Sequence, residues 1–214
     1  MMRTRWLAVL LVLGTAAGAA AAGEGGKALD EGQLDPAWFG VQGIEFHKTD
    51  TIDYLWVKPG FQLAGRKIQV EDWADPHFLG KKRDAKDSAK AVELSEKLPG
   101  LVRGALMSAL EGVAEVSRKE GDLAMSGRIV DCNAGSKAAK WLVGLGAGSA
   151  SATWDMKLVD KASGEVVLAL HHRVISGTTM SEIDDKIIKW LEQFGAVLKG
   201  DAGKAYAAGK RATK

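Results

Sequence analysis

The sequence of 214 residues contains a single cysteine, and this scarcity excludes two arrangements that are common in exported proteins. One thiol cannot close a disulfide within the chain, so the fold must depend on its hydrophobic core. The cysteine, Cys132, also lies far from the N-terminal apolar segment, where a bacterial lipoprotein carries its acylated cysteine. We therefore expect no N-terminal lipid anchor. We interpret Cys132 as a small buried hydrophobic residue, with a reactive thiol or a bridge between chains as the alternative.

An excess of charge of either sign is also missing. The chain has 29 Lys and Arg against 27 Asp and Glu, and without Arg3 and Arg5 the two totals are equal. A protein dedicated to nucleic acid would show a clustered basic excess, so we predict no nucleic-acid partner. The four basic C-terminal residues are too widely spaced for membrane recruitment, and we interpret them as a solvated tail; they are Lys204, Lys210, Arg211 and Lys214.

The sequence has only one long hydrophobic run, from Trp6 to Ala22. Arg3 and Arg5 precede it, and Ala20 and Ala22 supply the small residues that signal peptidase requires at −3 and −1. This pattern predicts a signal peptide over 1–22, cleavage near Ala22, and a periplasmic or secreted mature protein. An uncleaved anchor is the alternative, but 17 residues rich in Ala and Gly are at the short limit for a bilayer span. We expect no transmembrane span after cleavage.

The stretch GLGAGSASATW, residues 144–154, resembles a phosphate-binding glycine loop but lacks its context. Such a loop needs a strand before the glycines and a helix after them, because the helix N-terminus binds the anion. Here an alternating, strand-like segment follows, and no Gly-Lys-Ser/Thr occurs. We predict a loop over Gly144–Ser149 that leads into an inner strand at 152–160, and no nucleotide or other cofactor.

The sequence reveals no catalytic, cofactor-binding or metal-binding residues. Of the four histidines, His47 and His77 stand alone, and the adjacent His171 and His172 would point to opposite faces of a strand. No Gly-x-Ser-x-Gly nucleophile motif is present, and no base is placed beside a nucleophile. Asp131 and Asp160 come at predicted strand ends, where we expect them to cap turns.

The periodicity divides the chain into a flexible lead-in at 23–37, one domain at 38–199 and a disordered basic tail at 200–214. Helical spacing covers 86–113, where Pro99 predicts either a kink or two helices. A second amphipathic helix starts after an N-cap at Ser181 and stops at Gly200.

Strand signals are strongest between these helices. Alternation puts Leu123, Met125 and Ile129 on one face of a strand, and Trp154 on one face of the next. A turn at 161–165 joins that strand to a partner at 166–175, and we expect Trp154 to be buried against the helix of Trp190. The order of elements predicts an α+β fold, with a single mixed, mainly antiparallel sheet and two or three helices packed on one face.

Four motifs together resemble a bacterial family of secreted proteins and lipoproteins known as domain of unknown function 4410. They are a V-x-P-G segment, an Asn-Gly-like turn, a Trp-Leu-Val-Gly-x-Gly-Ala-Gly-Ser run and a V-D-x-x-S-G strand end. Here these motifs are Val57–Gly60, Asn133–Gly135, Trp141–Ser149 and Val159–Gly164. The resemblance spans roughly residues 50–195 and implies a compact cell-envelope domain without assigned catalytic residues. The lipid-anchoring cysteine of many members is missing.

These observations predict a secreted cell-envelope protein that is a non-enzymatic periplasmic binding or assembly protein, with another envelope protein as its partner. The alternative is a periplasmic hydrolase whose site is not evident from residue spacing. A deep pocket with a Ser or Asp hydrogen-bonded to a histidine would favour the hydrolase, and a flat surface without such a cluster would count against it.

Overall fold

The computed structural model describes residues 34–80, 82–136, 148–176 and 183–211. The predicted signal at 1–22, the glycines at 144 and 146, and the predicted cap Ser181 lie outside these ranges. The described helices are α1 (Pro36–Phe39), α2 (Ala85–Ala109) and α3 (Ile183–Ala208). The strands are β1 (His47–Lys48), β2 (Tyr54–Val57), β3 (Lys67–Val70), β4 (Glu115–Ser117), β5 (Leu123–Asn133), β6 (Ser151–Asp160), β7 (Val166–Ile175) and β8 (Lys210–Arg211).

All eight strands form one mixed sheet in the order β4-β3-β5-β6-β7-β2-β1-β8. The three longest strands, β5, β6 and β7, are antiparallel neighbours at its centre, whereas β3 runs parallel to both β4 and β5. The predicted α+β class with a mainly antiparallel sheet is therefore confirmed. The strand that follows the glycine run is β6, and it lies inside the sheet as predicted.

One face of the sheet is apolar and is covered by α2 and α3. Alternate residues of the central strands, including Ile129, Trp154 and Met156, are at most 1% exposed there. The rings of Trp154 and Trp190 meet edge to face with centroids 5.1 Å apart, which confirms the predicted contact between β6 and the last helix. Trp190 Nε1 also donates to the Thr51 carbonyl at 2.9 Å, so its polar end is satisfied at the core boundary.

A single helix, α2, runs through Pro99, so the two-helix alternative is wrong. Proline removes one backbone hydrogen bond from a helix interior. The helix nevertheless continues because residues on both sides of the proline are buried in the core. Leu94, Leu98 and Val102 have no exposed surface, and their burial offsets the lost bond.

The C-terminal helix extends beyond its predicted end at Gly200. The backbone breaks one residue later, at Asp201 (φ 94°), and the helix resumes with Asp201 Oδ1 accepting from the Lys204 backbone N–H at 3.1 Å. The sequence predicted a disordered tail at 200–214, and within it the structure describes helix to Ala208 and a strand at Lys210–Arg211. The Tyr206 ring stacks on His47 at 4.2 Å and its hydroxyl donates to the Glu45 carbonyl at 2.9 Å.

Strand β8 follows and pairs antiparallel with β1 at the sheet edge. Arg211 forms an ion pair with Glu45. Hydrogen bonds from Arg211 and then His47 lower the pKa of Glu45 to about 2. Tyr206, the one aromatic residue in residues 200–214, thus packs this Ala- and Gly-rich segment against the domain, although the composition of the segment is typical of disorder.

The short helix α1 lies on the opposite face of the sheet from α2 and α3. It begins within the predicted lead-in 23–37, with Asp35 as N-cap and Pro36 in the first turn. Phe39 is fully buried with Phe46 and Ala169 in a second, smaller apolar cluster. The prediction of helices on one face therefore holds for the two long helices, and α1 covers the other face.

Gly195 lies at a close contact between α2 and α3 and provides a stability test. A Cβ added there would lie 2.5 Å from the Ala109 Cβ, and neither atom can move without shifting a helix. We expect Gly195→Ala to lower the free energy of unfolding by about 1–3 kcal/mol in urea titrations because of overpacking. Gly104→Ala is the matched control, since nothing lies within 4 Å of its added Cβ. The control should gain about 0.5–1 kcal/mol from helix propensity, and an equal gain at Gly195 would contradict the packing.

Candidate functional site

Three polar residues lie side by side on the sheet face that points away from α2 and α3. Arg128 of β5 is directly opposite Asp155 of β6, and Asp155 is directly opposite His171 of β7. We call these three residues the polar row. Arg128 is 5% exposed, and Asp155 and His171 have no exposed surface. Charged side chains are buried in proteins when they are paired, so the contacts within the row determine its role.

Both oxygens of the Asp155 carboxylate are bound. His171 Nδ1 lies 2.7 Å from Oδ1, while Arg128 Nε donates to Oδ2 at 2.9 Å and a terminal guanidinium nitrogen lies 2.8 Å from the same oxygen. A carboxylate that pairs with a guanidinium only accepts hydrogen bonds, so His171 Nδ1 is the donor. The row is therefore a continuous network across the three central strands.

The residues Asp35–Phe39, which we call the strap, cover the Arg128 end of the polar row. Arg128 donates to Asp35 Oδ2 at 3.0 Å, so its guanidinium binds one carboxylate in the sheet and one in the strap. The Trp38 ring contacts two cations, with the Arg128 guanidinium carbon 4.6 Å and Lys157 Nζ 4.4 Å from its centroid. Lys157 Nζ also donates to the Trp38 carbonyl at 2.8 Å. Burial, and then the charge of Arg128, lower the pKa of Lys157.

Aromatic contacts extend from the end of the strap to the His171 end of the row. Phe39 meets Phe46 edge to face at 5.4 Å, Phe46 meets Tyr54 at 6.1 Å, and Tyr54 meets His171 at 5.6 Å. The strap is thus held by charged pairs on one side and by rings on the other. Its backbone hydrogen bonds within the described chain, Trp38 to Asp35 and Gly40 to Ala37, are local.

An Asp–His pair is the arrangement that orients a general base, and His171 Nε2 has no hydrogen-bond partner among the residues that the structure describes. A base must also reach a substrate within hydrogen-bond distance, and His171 has no exposed surface. A cavity of about 220 Å³ lies elsewhere, between Leu63, Val113 and Leu198. Another, of about 510 Å³, lies beside Thr49 and Lys210. The row is an internal network that holds the strap.

A second carboxylate–histidine pair lies on the helix-covered face of β7. Asp53 Oδ2 is 2.9 Å from His172 Nδ1, and the His172 ring stacks on Trp190 at 4.5 Å. Burial by itself would raise the pKa of Asp53. The hydrogen bond and charge of His172, with the Arg173 backbone N–H, lower it overall. This pair fixes the segment before β2 against the last helix, which is a structural role.

The histidines and aspartates considered from the sequence have different roles in the structure. His171 and His172 point to opposite faces as expected, and within the described ranges no three His, Cys, Asp or Glu side chains converge as metal ligands. Asp160 accepts from the backbone N–H groups of Ala162 and Ser163, which confirms turn capping. The turn-capping prediction for Asp131 is wrong.

Asp131 is 1% exposed and pairs with Arg83 at 2.7 Å. The register of β5 against β6 shifts between Ile129 and Asp131. Val130 is therefore the extra residue of a β-bulge, and Asp131 turns onto the face of the polar row. Nothing in the local sequence signals this shift.

The sequence analysis did not predict the polar row. Its only local signal is the alternation in β6, which puts Asp155 on the face opposite Trp154. Arg128 and His171 lie 27 residues before and 16 residues after Asp155. Only the strand register brings the three side chains together.

The chain belongs to the family whose model is described as "Domain of unknown function (DUF4410)", which matches residues 57–187, more than half of the sequence. This confirms the resemblance found in the motifs. No curated protein matches the chain.

Solved structures with a similar fold share little sequence with this chain. The PelC dodecamer from Paraburkholderia phytofirmans is 13% identical with a TM-score of 0.46, over 68% of this chain and 96% of that one. Protein XCC0632 from Xanthomonas campestris is 14% identical with a TM-score of 0.40, over 70% of this chain and 90% of that one.

None of the helices in the described ranges has the length and apolar character needed to cross a bilayer.

The polar row predicts a large stability effect at Asp155. Asp155→Asn removes the charge that compensates Arg128 in a buried position, and we expect a loss of about 3–5 kcal/mol in the free energy of unfolding. The matched control is Asp72→Asn, which breaks an exposed pair with Arg118 at 3.3 Å. Surface changes of this kind are within about 0.5 kcal/mol of neutral. Equal effects in urea titrations would contradict a buried network.

We predict that the Cys132 thiol is inert in the folded protein. It has no exposed surface, and burial, followed by the nearby Asp87 and Asp131 carboxylates, raises its pKa to about 12 from an ordinary value of 9.0. The thiol therefore stays protonated at pH 8 and should react with a disulfide reagent only across the unfolding transition. Between pH 9 and about 12 the thiol ionises only in the unfolded chain, so its contribution to stability declines as the pH rises through this window. Rapid labelling of the native protein would contradict this burial.

Proposed function

We propose that this protein is a non-enzymatic binding or assembly domain of the cell envelope, exported through its N-terminal signal and processed near Ala22. The signal pattern and membership of the family support the location. The observation that supports binding is how the strap is held on the sheet: the Trp38 ring contacts both Arg128 and Lys157, and Asp35 pairs with Arg128. A tryptophan in contact with cations and an arginine paired with a carboxylate are the anchors typical of protein interfaces.

Intact-mass measurement of the mature protein tests the location. Expression of the full chain in a bacterial host should yield a soluble periplasmic protein that begins at Gly23, because Ala20 and Ala22 fit the peptidase. Ala22→Arg is a matched variant that removes the small residue at −1 and should slow processing. An intact N-terminus in the membrane pellet of the unmodified protein would contradict the proposed export.

Photo-crosslinking in the envelope tests the binding function. We place p-benzoylphenylalanine at Ala37, which is exposed on the strap, and at Val92, which is exposed on α2. A discrete protein adduct should form at Ala37 and be absent at Val92. Adducts at Val92 alone, or at neither position, would contradict a binding surface around the strap.

The hydrolase alternative is favoured by one observation, the Asp155–His171 pair, in which no described residue is hydrogen-bonded to His171 Nε2. Turnover of ester, glycoside or phosphoester substrates that is lost in His171→Gln, with an unchanged melting temperature, would establish it. The complete burial of His171 predicts no such turnover.

A further inference from the structure

We propose that the strap occupies, within its own chain, a site for an acidic segment of a partner protein that carries tryptophan three residues after its carboxylate. A segment of this kind would displace the strap and take over its contacts. This proposal rests on the binding function proposed above and specifies the chemistry of the partner.

The charges around the strap indicate why the site requires an anion. Arg128 and Lys157 point to the same face of neighbouring strands, and of the two carboxylates that Arg128 binds, only Asp155 belongs to the sheet. When Asp35 leaves, the site retains two cations against one carboxylate that His171 shares. An excess positive charge in a largely buried position is unfavourable. A segment that brings a carboxylate to Arg128 should therefore bind more tightly than a segment that covers the site without one.

The tryptophan requirement follows from the geometry of the two cations. Arg128 and Lys157 lie 4.6 Å and 4.4 Å from the centroid of one indole ring, and Lys157 also binds the carbonyl of the same residue. Tryptophan is the ring that binds cations best. The spacing of three residues is set by α1, in which the Trp38 N–H bonds to the Asp35 carbonyl at 3.2 Å.

The attachment of the strap allows exchange with another segment. Its contacts with the sheet are made by side chains and by one carbonyl, so a second copy of the motif can reproduce each of them. Pro36 and Ala37 are exposed, which gives a competitor access from outside. Gly40 and Gly43 have positive φ angles of 74° and 63°, and they separate the strap from the buried Phe46.

A peptide with the sequence of residues 34–40, LDPAWFG, labelled with fluorescein, tests the exchange on the full chain. Trp38→Ala weakens the attachment of the strap to the sheet and leaves Arg128 and Lys157 in place. The peptide should bind this variant at least about tenfold more tightly than the unmodified protein, the scale expected for one anchor residue. Trp73→Ala is the matched control, because this half-buried tryptophan packs against the helix-covered core and its loss should leave peptide affinity unchanged.

Two further measurements identify the contacts. Adding Lys157→Gln to the Trp38→Ala variant, and replacing the peptide's Asp by Asn, should each weaken binding severalfold while near-ultraviolet circular dichroism stays native. Equal affinity for the Trp38→Ala and Trp73→Ala variants, or no effect of Lys157→Gln and of the Asn peptide, would overturn the proposal. If envelope crosslinks form at Ala37 while the peptide fails to bind, the binding function stands and displacement of the strap is refuted.

Discussion

The guanidinium of Arg128 is the group on which the covered polar face depends. It binds Asp155 through two nitrogens, reaches Asp35 in the strap, and lies against the Trp38 ring. A guanidinium suits this position because it is planar, permanently charged and able to donate in several directions at once. Lysine could satisfy one carboxylate but would leave the other without its partner.

The two faces of the sheet are stabilised by different physical effects. Apolar burial holds α2 and α3 against the central strands, and it tolerates the loss of a hydrogen bond at Pro99. On the other face, the polar row is buried, and each charge there depends on a specific neighbour. This division explains why a helix of four residues can cover the Arg128 end of the polar row: its charged and aromatic anchors replace the area that a long helix would bury.

Much of the fold could be predicted from the sequence because it follows from local periodicity. Alternation predicted β5, β6 and β7 and the burial of Trp154, and the helical spacing of Ile187, Trp190 and Phe194 predicted α3. The polar row could not be predicted, because Arg128, Asp155 and His171 meet only through strand register. The bulge at Val130 likewise reversed the face of Asp131, and the single aromatic Tyr206 docked a segment with a disordered composition.

The central claim is that Arg128 couples the strap to the sheet, and a double-mutant cycle on the free energy of unfolding tests it most directly. The cycle combines Asp35→Asn with Arg128→Lys, a change that keeps the charge and removes the ability to bind two carboxylates. Residues in one charged network show interaction energies of about 0.5–3 kcal/mol, and we expect a value in that range. Effects that add to within about 0.3 kcal/mol, as they do for independent sites, would contradict the account.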